Sequence, residues 1–115
     1  MTFLLEDNYF NQKDEILVLL VALGTIDAIK NNLISINEAE KIIFSPYSKK
    51  VLNNAGCNTE IIRIIELACE LEDVKSLIPE KFDKSIDEIK SMIIDVLSCY
   101  KEYDKEQFIQ WSISL

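Results

Sequence analysis

The chain contains no histidine, and that absence removes a large share of ordinary protein chemistry. Serine and cysteine triads of the usual kind, histidine general bases and most zinc or iron sites all depend on imidazole. Glycine is scarce as well: Gly24 and Gly56 lie too far apart to build a phosphate-cradling loop or a dinucleotide fingerprint. With only two prolines besides, the chain lacks the turn residues of a β-sandwich or small barrel. The three cysteines form an odd set with no C-x-x-C pair, so neither a disulfide framework nor a zinc cluster is expected. Cys69 and Cys99 stand among apolar neighbours and read as small core residues, which implies a reducing, cytoplasmic setting. The acids nowhere take EF-hand spacing. No metal and no cofactor are expected.

Long apolar runs are missing too. The longest, ILVLLVAL at residues 16–23, is far short of the ~20 residues that span a bilayer. The opening MTFLLEDNYF carries acids where a secretory leader needs bases, so a soluble chain without a leader is expected. Bases are outnumbered by acids, 12 to 20, and the net charge of -8 disfavours nucleic acid and anionic membranes as partners. What remains is a chain of 115 residues, 49% apolar and 28% charged, which suits one packed domain over residues 1–115 rather than disorder.

The pattern is that of helices. A first helix is predicted from Asn11 or Gln12 to about Asn31 and Asn32, with Asp14 and Glu15 in the turn where acids favour the helix dipole. Its residues 16–23 are apolar on every side, which places it centrally, and Gly24 offers room for another helix to approach. Ser35 and Glu38 have capping-box spacing, and Pro46 stops the short helix they open. Ser45 and Pro46 then suit the N-cap and first position of another, closed at Gly56. From Thr59 the stretch TEIIRIIELACELEDVKSLI predicts a helix whose wet stripe is Arg63, Glu66, Glu70 and Asp73. Ser85 and Glu88 repeat the capping-box spacing ahead of a last long helix. Beyond Glu106, Ile109, Trp111, Ile113 and Leu115 alternate with polar residues, the period of a short strand that would pair with the TFLL segment or another chain. The fold class is therefore mainly α, a bundle of four or five helices with a short C-terminal strand as an accessory.

Candidate functional residues come from charge. ELACELED, residues 66–73, holds four acids and no base. Glu66 and Glu70 stand at i and i+4, where like charges destabilise a helix by about 0.2–0.5 kcal/mol. On the last helix Glu88, Ser91, Asp95, Ser98 and Glu102 recur at three and four, opposite the apolar stripe. For any single acid a solvated helix face is the commoner explanation. Acid–base catalysis by Glu66 and Glu70 would need a pocket that nothing in the sequence predicts. Cys57 lacks a base partner and reads as a structural thiol, and the basic spot Lys49–Lys50 is too small to bind anything alone.

Two blocks, LGTIDAIKNNLISINEAEKIIFSPY at residues 23–47 and ELEDVKSLIPEKFDKSIDEI at residues 70–89, resemble a family of short, acidic, uncharacterised bacterial proteins. By type the chain is similar to immunity proteins of bacterial toxin–immunity pairs, such as those of contact-dependent inhibition. That resemblance implies a non-catalytic cytoplasmic protein that binds a cognate toxin domain, and transfers no contact residue. Together with the charge pattern it gives the expected function: neutralising a basic, nuclease-like protein toxin through Glu66, Glu70, Asp73, Glu88, Asp95 and Glu102. The alternative is a regulatory or structural adaptor that self-associates through its C-terminal segment.

Overall fold

The computed structural model describes residues 10–100, all of it helices and the turns between them. Helix α1, Gln12–Lys30, opens on a capping box: the Asn11 side chain accepts the Asp14 N–H at 3.1 Å while the Asp14 carboxylate accepts the Asn11 N–H at the same distance. It closes where Asn32 turns left-handed at φ 58°, a conformation asparagine tolerates better than most residues. Helix α2, Ile36–Ile42, uses the Ser35–Glu38 box. Helix α3, Pro46–Asn54, starts at the Ser45 cap and is followed by Gly56 at φ 79°. In these three the local spacing predicted both ends.

Two later elements depart from the pattern. The helix expected from Thr59 onward is broken at Glu70, where ψ of -5° and a short-range bond from its N–H to the Leu67 carbonyl end α4, Thr59–Cys69. Helix α5, Leu71–Leu77, resumes at once. The last helix, α6 (Phe82–Ser98), begins three residues before Ser85, because a 3₁₀ turn at Pro79–Lys81 already runs into helical backbone. Ser85 and Glu88 therefore lie inside the helix, and their capping-box spacing goes unused.

Cross-helix polar contacts fix the packing direction. Lys30 pairs with Asp87 and Asp27 with Lys90, while Glu15 meets Tyr100, so advancing along α1 means retreating along α6. The two helices are antiparallel and form the spine, with α4 and α5 also against α6 and α3 against α4. One continuous core fills the space between them: Ile16, Leu19, Ile26, Ile43, Phe44, Ile61, Ile64, Ile65, Leu71, Ile86 and Ile93 are almost wholly buried. Each such side chain contributes about 1.5–3 kcal/mol relative to an exposed one. The chain is a mainly α-helical bundle, with no strand among the described residues.

Three details of the core correct the sequence expectation. The run at residues 16–23 is not covered on every side, since Leu20 is 42% exposed. Gly24 is exposed, and nothing lies within 4 Å of where its Cβ would stand, so no helix approaches it. Cys99, expected in the core, is exposed, because it falls just past the end of α6, whereas Cys57 is buried as a structural thiol would be. The terminal strand, its TFLL partner and Glu102 lie outside the described residues.

Candidate functional site

Helix α4 buries Ile61, Ile62, Ile64, Ile65 and Ala68 against the core, which turns Arg63, Glu66 and Glu70 outward at spacings of three and four. Asp73 continues this exposed stripe onto α5, past the break at Glu70. On α6 burial of Ile86, Ile89 and Ile93 likewise turns out Glu88, Ser91, Asp95 and Ser98. Five of the six predicted partner-facing acids are thus described and exposed. Glu70, Asp73 and Asp95 form no ion pair among the described residues. Glu66 does, with Lys49 of α3 at 2.8 Å, and Glu88 sits a loose 3.9 Å from Lys84 one turn earlier. Both pairs are well exposed to solvent, the setting in which an ion pair contributes little. Lys84 thus sets a large base beside the acids of that α6 face. An open depression of about 610 Å³ follows the face, lined by Lys84, Asp87, Glu88, Ser91 and Met92.

The structure adds acids that spacing along the chain did not select. Glu40 of α2 stands within hydrogen-bond reach of Glu72 at the start of α5, carboxyl to carboxyl. That hydrogen bond holds the Glu40 carboxyl above its usual range, with burial and the negative charge of Glu72 adding to the effect. Glu66 and Glu70 belong to the same neighbourhood. The half-buried Cys69 thiol is pushed up first by burial, then by Glu40, and after the opposing pull of Lys49 by Glu66 and Glu70. Glu40, Glu66 and Glu70 thus bear on one thiol where α2 meets α4 and α5, with Glu72 beside Glu40 and Lys49 beside Glu66. Sequence reasoning missed Glu40 and Glu72 because only the fold of α2 onto α5 brings them together; Glu72 lies within ELACELED, but no local spacing marks its partner.

Other ionisable groups tie helices together. Lys90 holds the Asp27 carboxyl below its usual range through a 2.8 Å hydrogen bond, and Asp87 holds Lys30 above its own. Both pairs tie α1 to α6. At the other end of that seam the Glu15 carboxylate accepts from the Tyr100 hydroxyl at 2.9 Å and from the Asn58 N–H at 2.7 Å, next to the buried Cys57. Among the described residues no cluster of three or more potential ligands is placed to hold a metal ion, and no helix is long and apolar enough to cross a membrane.

Against this geometry stand the comparisons with known proteins. The family described as "Protein of unknown function (DUF3969)" matches residues 10–112, nearly the whole chain. The protein belongs to that family. Its match takes in the whole described bundle, the α2–α4–α5 acidic junction and the α6 face included. No curated protein and no solved structure matches the chain.

Proposed function

We propose that this member of the family is a non-catalytic binding protein that docks a basic protein on its acidic surface, in the manner of an immunity protein neutralising a cognate toxin. The reading is carried by the grouping of Glu40, Glu66, Glu70 and Glu72 where α2 meets α4 and α5, with Lys49 paired to Glu66 beside them. Repulsion within that grouping weakens the free protein. A cationic surface brought against the junction relieves it, so part of the docking free energy comes from charge the fold already concentrates. Complementary potential of this sort also raises association rates and makes them fall with added salt. A nuclease is the toxin class that best fits, because a surface shaped for phosphates presents lysine and arginine where carboxylates can take the phosphates' place.

Asp73, Glu88 and Asp95 are further exposed acids outside the junction. Co-expression with a basic toxin domain encoded beside this gene tests the reading. The expected outcome is rescue of growth together with copurification of the two chains. Continued toxicity with no copurification would overturn it.

A further inference from the structure

Cys57 is the most deeply buried of the three thiols, and nothing in the binding reading uses it. Around it meet three segments distant in sequence: the first turn of α1, the turn between α3 and α4 that holds Cys57 itself, and Tyr100, just past the Cys99 cap of α6. Glu15 joins them. One of its carboxylate oxygens takes the Tyr100 hydroxyl, 85 residues away, and the other takes the Asn58 backbone N–H, 43 residues away. The thiol itself feels this carboxylate: burial, then the Glu15 charge, push Cys57 up to about 12, while the Asn58 N–H pulls it down.

We propose that Glu15, Asn58 and Tyr100 form a latch over Cys57, a conformational device that opens as a local unit while the rest of the bundle stays folded. The latch has few parts and sits at one end of the fold. Its carboxylate is only half-buried, and Tyr100 is held after the last helix rather than within it. Contacts of that kind belong to the low-stability end of a protein's opening spectrum, whereas the isoleucine core between α1, α4 and α6 opens only on global unfolding. Since Asn58 also caps α4 by accepting the Glu60 N–H at 2.8 Å, release of Glu15 loosens the start of α4 along with Tyr100.

The test is labelling of the native full chain with a thiol reagent at low urea concentrations, read by mass at the peptide containing Cys57. In the unaltered protein the rate at Cys57 is expected to be slow and nearly independent of urea, the signature of a local opening that exposes little surface. Glu15→Gln and Tyr100→Phe each weaken a hydrogen bond to a charged group and are expected to raise that rate about tenfold, with the urea dependence still flat. Tyr100→Phe preserves the ring and so keeps the test independent of whether the Glu15 change disturbs folding. A rate that climbs with urea from the start, at the slope of global unfolding, would overturn the latch. So would rates unchanged in both variants.

Discussion

Replacing Gly24 with alanine should make the protein more stable, and the structure sets both the sign and the size. Gly24 lies within α1, Gln12–Lys30, at a φ that is not positive, so alanine needs no change of backbone. A Cβ built there meets nothing within 4 Å, so no clash offsets the gain. What is left is helix propensity and the lower entropy of the unfolded chain, together about 0.8–1 kcal/mol. With a urea slope near 1–2 kcal/mol/M, the midpoint should rise by roughly 0.4–1 M at unchanged slope. Urea melts followed by circular dichroism would measure this. A midpoint that stays or falls would show that something packs against Gly24 in solution, and the exposed side of α1 would need redrawing.

Three further outcomes follow from the core and the charges. Ile64→Ala, at a fully buried site on α4, should cost about 2–5 kcal/mol, and a loss under 1 kcal/mol in a chemical melt would mean the α4 core is loosely packed. Glu40→Gln should stabilise the protein at neutral pH: the folded-state carboxyl is raised, so its ionisation opposes folding above that range, and the gain should fade as pH falls and Glu40 protonates in the unaltered protein. A gain that persists unchanged at low pH in paired melts would exclude the Glu72 repulsion as its cause. Tyr100, raised by burial first and then by its bond to Glu15, contributes stability that is complete below the usual tyrosine value and lost as pH climbs through the raised one. Its ionisation, read as the ultraviolet absorbance lost in Tyr100→Phe, should fall above the usual tyrosine range, and ionisation within that range would contradict the Tyr100 contact.

The parts of the fold legible in sequence are those fixed by neighbours along the chain. Asn11, Ser35, Ser45 and Gly56 mark helix ends through bonds that span three or four residues, and the structure keeps all four boundaries. The exposed stripe Glu66, Glu70 and Asp73 was legible for the same reason, since spacing decides which side of a helix faces away from isoleucines. The start of α6 was misread because a capping-box spacing at Ser85 carries no information about the helical turn that precedes it. Glu40 beside Glu72, and Glu15 between Asn58 and Tyr100, were invisible because each depends on how separate helices are laid together. Local spacing ranks acids by exposure; only packing shows which of them repel one another.

The most direct measurement is the affinity for the basic partner as a function of salt, taken with the unaltered protein and with Glu70→Lys/Asp73→Lys. Those two carboxylates have no ion-pair partner among the described residues, so reversing them leaves the described salt bridges intact. Docking through the acidic surface predicts binding that weakens steadily with salt, and a double variant that binds at least tenfold more weakly at low salt while its circular dichroism is unchanged. Affinity indifferent to both salt and charge reversal would contradict it.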